Sequence, residues 1–294
     1  MHFIIIDLEW NNTYGRKTKS FINEVIEIGA VMLDGELREV SRFSCFIKSQ
    51  IGKKLRGSVK ELTNITNEDL RNGVPFTKAL SDLRRWIGAG EHTVVTWGDG
   101  DIRVLIENYR YLNGIDVIPF LKNYADLQSY FQHVLKTSPA RQVGLGAAAQ
   151  MLEIDENDFF LHRAIGDSLL TAECMRKIYS EQEFSRFIRK CDKGFYEKLS
   201  FKPYVISSMD SPLVDRSKLC HVCETCGEPA RQASDWRFVN RQFRATFYCP
   251  VCNDKIVVGV SFKKYYDRVE AKKTATVVTQ ETNDKRQETR KDGS

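Results

Sequence analysis

Asp7 and Glu9 stand two residues apart at the end of an apolar run, Phe3-Ile4-Ile5-Ile6. Side chains alternate with period two along a strand, so both carboxylates point to one face. Carboxylates are costly to bury, and several together call for a cation, most often a divalent metal. Further along, Asp101 follows Trp97-Gly98-Asp99-Gly100, and His162 precedes Asp167 in His162-Arg163-Ala164-Ile165-Gly166-Asp167. Asp101 and Asp167 fall at the starts of helical patterns, where an acid suits the helix dipole. Asp99 competes for the third place. Asp101 is preferred because Leu105 follows at helical spacing, whereas Asp99 reads as a turn residue. Four such acids suffice to hold two divalent ions, Mg²⁺ or Mn²⁺, that clamp a phosphodiester between them. A histidine on a loop just ahead of a helix can then take a proton from an attacking water. The candidate catalytic set is therefore Asp7, Glu9, Asp101, Asp167 and His162.

A second constellation is built from sulfur. Five of the eight cysteines crowd between residues 220 and 252. Cys223-x-x-Cys226-Gly227 and Cys249-x-x-Cys252 are separated by 22 residues, a spacing suited to one tetrahedral, structural Zn²⁺ in a ribbon-type module. Cys220 and His221 are spare candidates, and Cys220-x-x-Cys223 is an alternative first knuckle without a following glycine. Between the knuckles, Arg231, Arg237, Arg241 and Arg244 interleave with Trp236, Phe238, Phe243 and Phe247. Arg241, Arg244 and Phe243 are candidates for gripping single-stranded nucleic acid through phosphate contacts and stacking. The alternative is that the aromatics form a small core and the arginines a solvated face. The basic stretches Arg16–Lys19 and Lys53–Arg56 fall in predicted loops, where they could line a substrate groove.

The elements that must position these groups can be read from periodicity. Residues 3–8 predict a buried strand. Val25–Leu33 and Val40–Ile47 predict two more, joined through Asp34-Gly35, which makes an antiparallel three-strand start. Thr66–Leu70 opens like a capped helix, and Phe76–Ile87 carries a continuous apolar face. Thr93–Trp97 predicts a fourth strand. Helices are expected over Asp101–Leu112, Ala125–Val134, Gly144–Leu152 and Asp167–Tyr179. Strands first, then strand and helices alternating, indicate an α/β layer structure. The resulting division is residues 1–180 as one domain, 181–218 as helical connector and linker, 219–262 as the zinc module, and 263–294 as a polar, disordered tail.

At 294 residues the chain has room for one large domain, or for one medium domain and a small one. Its net charge, 44 − 39 = +5, permits nucleic-acid binding. No run is apolar enough to span a bilayer, so no membrane partner is expected. The N-terminal residues lack a secretory pattern, and clustered cysteines without one fit a reducing, cytoplasmic setting. A phosphate-binding Gly-rich Lys loop, His-Glu-x-x-His and Gly-x-Ser-x-Gly are all missing from the sequence, so nucleotide triphosphatase, zinc protease and serine hydrolase chemistry lack support.

The acidic set and His162 together resemble the DEDDh 3′–5′ exonucleases. Ile6-Asp7-Leu8-Glu9 matches the first motif and Asp101 the second, while His162 to Asp167 matches the third. Glu24-Val25-Ile26-Glu27-Ile28-Gly29-Ala30 is similar to the family's second strand. Leu62-Thr63-Asn64-Ile65-Thr66 is similar to its Leu-Thr-Gly-Ile-Thr segment, with Asn64 in the glycine place. The resemblance covers about residues 1–180, and it is nearest to the branch of histone-mRNA and small-RNA trimming enzymes and bacterial KapD-type proteins. It implies a ribonuclease H-like mixed sheet flanked by helices. It also implies that Asp7, Glu9 and Asp167 bind a first metal, that Asp7 bridges to a second supported by Asp101 through water, and that His162 is the general base. Nucleoside monophosphates would leave a single-stranded 3′ end, with RNA favoured. Two other readings differ in class: a nucleic-acid-binding or regulatory protein without turnover, and a proofreading subunit whose zinc ribbon docks a protein partner.

Overall fold

The structure is a computed structural model that describes residues 1–52, 54–138 and 141–278. It divides into two compact units, Met1–Leu199 and the chain from Ser200 onward. Lys53, at the head of one basic stretch, lies outside the described residues, as does the expected tail from residue 279.

The first unit is built on a mixed sheet. Strands β1 (His2–Gly15) and β2 (Ser20–Leu33) form a long antiparallel hairpin, and β3 (Glu39–Phe46) adds to β2. The two hairpin strands run well past the predicted ends, and Arg16–Lys19 forms their turn. Three short helices follow: α1 (Gly57–Thr63), α2 (Asn67–Asn72) and α3 (Phe76–Ile87). Thr66 and Asp69 close α2 with a reciprocal capping box, which stabilises such a helix by about 1 kcal/mol. Phe76, Ala79, Leu80, Leu83 and Ile87 bury one face of α3, as the spacing predicts.

Strand β4 (His92–Thr96) runs parallel to β1, and α4 (Gly100–Asn113) leads to β5 (Asn123–Asp126), parallel to β4. Helices α5 (Leu127–Val134), α6 (Leu145–Met151), α7 (Ala164–Ile178) and α8 (Glu181–Phe184) follow. A two-residue β6 (Arg189–Lys190) closes the sheet order β3-β2-β1-β4-β5-β6, and α9 (Lys193–Ser200) ends the unit.

Two expectations are corrected in this unit. The stretch from Ala125 begins in a strand, with Asp126 ending β5 and capping α5 through the Ser129 amide. Four residues are too few to show a strand period before a helix begins. The unit also extends past 180. Phe184 is fully buried against Phe3, Tyr130 and Tyr179, so part of the expected connector is core.

Alternation along β1 assigns the two faces. Ile4, Ile6 and Leu8 join the core with α3 and α4, while Phe3 and Ile5 join the core with α5 and α7. Asp7 and Glu9 continue the second series and so face the α7 side.

The second unit is an antiparallel sheet. Its strands are β7 (Tyr204–Val205), β8 (His221–Val222), β9 (Pro229–Gln232), β10 (Arg237–Val239), β11 (Gln242–Tyr248), β12 (Lys255–Lys264) and β13 (Val269–Val277). The main order is β13-β12-β11-β9-β8; β10 pairs with β11 and β7 with β12. Phe243, Phe247, Ile256, Val258, Val260 and Phe262 fill one side of the sheet. The polar stretch from residue 263 therefore does not start as a tail. It completes β12, then pairs β13 with β12 from Val269 to Val277. An edge strand draws its order from backbone bonds more than from burial, so its sequence can be mostly polar.

Candidate active site

Three side chains brought from distant points define the first site. Ligand oxygens of Asp7, Glu9 and Asp167 all lie within 4.8 Å of one another. The approach of α7 to β2 makes this possible. Gly29, paired with Asp7 across the hairpin, lies so close to α7 that a Cβ there would stand 2.1 Å from the Ala164 carbonyl carbon. Gly166 fits equally tightly, since a Cβ would meet the Phe160 carbonyl oxygen at 2.0 Å. Only glycine fits at either place. Ser168 Oγ then donates to the Gly29 carbonyl at 3.1 Å and ties helix to strand.

Asp101 completes the acidic group from α4. It is 7% exposed and accepts the Leu8 amide at 3.0 Å, a bond between Asp7 and Glu9 in the chain. Asp99, its competitor in the sequence, is half exposed and ion-paired to Arg103 at 2.7 Å. His162 is exposed on the loop before α7, with a left-handed φ of 59°. Non-glycine residues seldom adopt that conformation, and those that do concentrate at functional sites. The His162 amide and ring both favour the ionised form of Asp167.

The electrostatics are those of a site short of positive charge. Burial, then the surrounding carboxylates, hold Asp7 well above the usual carboxylate range. Burial with Asp167, Glu27 and Asp101 pushes Glu9 up to about 8. Burial raises Asp101 to about 7 against the opposing Leu8 amide. Burial also raises Asp167, with His162 pulling the other way. Such a cluster cannot be fully ionised at neutral pH without a cation, and a compact set of hard oxygen donors fits Mg²⁺ or Mn²⁺.

Glu27 has no assigned role in the sequence reading. It is fully buried and lies directly opposite Glu9 in the hairpin register. Arg163 meets it with two bonds, at 2.8 and 3.1 Å, and the Ala164 amide adds a third at 3.3 Å. The Arg163 guanidinium also sits over the Phe46 ring at 5.0 Å. The pair anchors the residue next to His162 to the strand opposite Glu9. An acid inside the apolar run Val25-Ile26-Glu27-Ile28 was the available signal, because a buried charge needs a partner.

In the second unit, the Sγ atoms of Cys223, Cys226, Cys249 and Cys252 also lie within 4.8 Å of one another. Cys226 and Cys249 are 3.5 Å apart, and Cys223 and Cys252 4.0 Å. Zn–S bonds of 2.3 Å in a tetrahedron would require about 3.8 Å. The two knuckles share one backbone design. Gly227 donates to the Cys223 carbonyl and Cys223 to that of Glu228; Asn253 donates to the Cys249 carbonyl and Cys249 to that of Asp254. Gly227 and Asn253, equivalent in the two turns, both have positive φ. Cys220 stands apart, exposed and bonded to the Ser217 carbonyl, and His221 packs on Phe247. Phe243 is 1% exposed in the core and cannot stack on a base, because alternation along β11 turns it inward while Arg244 faces out. Arg241 is exposed in the β10–β11 turn.

No helix among the described residues is long and apolar enough to cross a membrane.

The comparisons with known proteins agree with this geometry. The RNase_T exonuclease family model matches residues 4–175. A probable 3′–5′ exonuclease, KapD, of Bacillus subtilis (strain 168) is 26% identical over 183 residues, 62% of this chain and 86% of that protein. ERI1 exoribonuclease 2 of Xenopus laevis is 25% identical over 233 residues, 71% of this chain, but the match spans only 33% of that longer protein. Among solved structures, the nuclease domain of 3′hExo, a DEDDh family member bound to rAMP, superposes with a TM-score of 0.55 at 21% identity, covering 65% of this chain and 96% of that one. A 3′-exonuclease in 3′-end-specific recognition of histone mRNA stem-loop has a TM-score of 0.55 at 19% identity, covering 65% and 91%. These structural likenesses carry the ribonuclease H-like fold. With the family model spanning more than half of it, the chain belongs to the RNase_T exonuclease family, enzymes that hydrolyse phosphodiester bonds, and it is similar to 3′–5′ exonucleases within it.

Proposed function

We propose that the first unit removes nucleotides from the 3′ end of single-stranded nucleic acid, RNA in preference to DNA, and releases nucleoside 5′-monophosphates with the aid of two divalent cations. The observation that supports this most is the convergence of Asp7, Glu9 and Asp167 within 4.8 Å, with buried Asp101 tied to Leu8. In this reading Asp7, Glu9 and Asp167 would hold one cation, and Asp7 and Asp101 would serve a second. Bound there, such ions supply Lewis acidity to the attacking and leaving oxygens of the phosphodiester.

The chain itself provides position and proton transfer. His162, exposed beside Asp167, accepts the proton of the attacking water. The Glu27–Arg163 pair holds the His162 loop to the sheet, which limits the freedom that would otherwise have to be lost at each turnover. Preference for RNA is supported by two relatives, an exoribonuclease and a 3′-exonuclease that recognises a histone mRNA stem-loop. In the second unit, Cys223, Cys226, Cys249 and Cys252 hold one structural Zn²⁺.

The test is product analysis. Matched single-stranded RNA and DNA are digested in Mg²⁺ and in Mn²⁺, and the products are separated by chromatography against standards. The reading expects nucleoside 5′-monophosphates, formed faster from RNA. Internal fragments or 3′-monophosphates would overturn the reaction assigned; faster release from DNA would overturn the sugar preference.

A further inference from the structure

The second unit's sheet has two unlike sides. The register of β9 to β13 places Arg231, Arg237, Arg244, Lys255, Lys263 and Lys272 on the side opposite the aromatic core. Five of these are exposed; Arg244 is half-buried, and Gln242 can accept its guanidinium at 2.6 and 2.7 Å. None of the six pairs with a carboxylate among the described residues. The only acid that β9 to β13 carry, Glu270, lies on this side across from Lys263 and is taken by Arg268 at 2.8 Å.

The arrangement within this side is unfavourable unless something covers it. Arg237 and Arg244 stand directly opposite each other on neighbouring strands. Like charges in that position repel, and folding alone gives no reason to place them there. Two rows further along β11, past Thr246, Tyr248 is flanked by Arg231 on β9 and Lys255 on β12. Its ring is 38% exposed. Between the cations lie mostly short side chains, Thr246, Val257, Ser261 and Thr274, with exposed Val239 beside Gln242. Three inter-strand steps of about 4.8 Å make it roughly 15 Å wide, enough to meet several phosphates in succession.

We infer that this sheet face of the second unit binds single-stranded nucleic acid, the cations meeting backbone phosphates and Tyr248 stacking on an unpaired base. Cations spread over several strands suit a flexible polyanion better than a single small anion, and an exposed ring between two cations is reached by bases that are not paired. The choice of nucleic acid over another polyanion rests on the exonuclease reading of the first unit.

The test uses the full chain without added Mg²⁺ or Mn²⁺ and without chelator, so that substrate is spared while any zinc on the four thiols stays in place. Fluorescence anisotropy of a labelled 20-nucleotide RNA is read across a salt series for the wild type and for Arg237→Ser/Arg244→Ser/Lys255→Ser/Lys272→Ser. The inference expects binding at least about tenfold weaker and a salt slope smaller by up to about 3, since each lost phosphate contact removes about 0.7. A variant with Arg237→Lys and Arg244→Lys retains binding, which separates loss of charge from loss of fold. Hydrolysis of the p-nitrophenyl ester of thymidine 5′-monophosphate, a substrate one nucleotide long, is unchanged in all variants. Unaltered RNA affinity and salt slope in the fourfold variant would overturn the inference. So would wild-type protein that binds phosphatidylserine vesicles or polyglutamate but not RNA. A wild type that binds RNA through this face yet cleaves neither RNA nor the ester would leave the inference standing and remove the exonuclease reading instead.

Discussion

The carboxylate cluster of the first unit and the thiol cluster of the second both gather groups that repel once ionised, but they are held together differently. Asp7 and Glu9 sit on a strand whose residues Phe3 to Leu8 feed two large cores, and Asp167 comes to them through the close contact of α7 with Gly29. The four cysteines sit on two turns beside a much smaller core, each turn closed by two backbone bonds. The fold thus imposes the acidic cluster against its own repulsion, whereas on the proposed zinc reading the thiol cluster would depend on an ion for part of its order. A cation should therefore govern chemistry at the first site and folding at the second.

The largest effect should follow removal of zinc. A chelator strong enough to strip the thiols, or Cys249→Ser, should unfold the second unit, since structural zinc contributes on the order of 10 kcal/mol to small modules. Hydrogen exchange would show β11 and β12 losing all protection while β1 and β4 keep theirs; retained protection in β11 and β12 would end the contrast. Next in size is Asp7→Asn. It should lower cleavage by about a thousandfold or more, comparable to the loss of a transition-state electrostatic contact and its ion together. The same change should leave the melting temperature equal or higher, because a desolvated, repelled carboxylate is gone. A large fall in melting temperature would mean that the acid supports the fold.

Smaller effects sharpen the picture. Glu27→Gln leaves Arg163 without its buried partner. It should destabilise by roughly 2–3 kcal/mol, less than a fully buried pair because Arg163 is one-third exposed, and should lower kcat about tenfold through the displaced His162 loop. Full activity with lower stability would restrict the pair to a structural role. The smallest effect is on pH. Glu9 and Asp101 are raised in the folded state, to about 8 and about 7. The folded protein then holds protons that the unfolded chain has lost, so without added Mg²⁺ or Mn²⁺ the melting temperature falls as pH rises from about 5 to 8. Added Mg²⁺ or Mn²⁺ should flatten that slope, because an ion favours the ionised carboxylates. An identical slope with and without metal, read by thermal scanning, would place the ion elsewhere.

Much of this was legible in the chain. Period-two spacing alone puts Asp7 and Glu9 on one face, and helical spacing after Asp101 separates it from the ion-paired Asp99. Other features were hidden by distance or by length. Glu27 finds Arg163 across 136 positions, and no local pattern announces that pair. Strand β5 has four residues, too few for a period to emerge. Strand β13 is ordered mainly by backbone bonds to β12, which composition does not register. Phe243 was open to a correct reading. The alternation Gln242-Phe243-Arg244-Ala245-Thr246-Phe247 assigns it to the core side, and the interleaving of charge and ring that suggested stacking is the same alternation seen from the other face.

The central claim is that the acidic cluster is a cation-dependent centre for removal of 3′ nucleotides. A gel time course with 5′-labelled single-stranded RNA, run for the wild type and for Asp167→Asn in Mg²⁺ and in EDTA, tests it most directly. The account predicts a ladder that shortens from the 3′ end only for the wild type and only in Mg²⁺. RNA left intact by the wild type in Mg²⁺, or cut equally well in EDTA or by the variant, would contradict it.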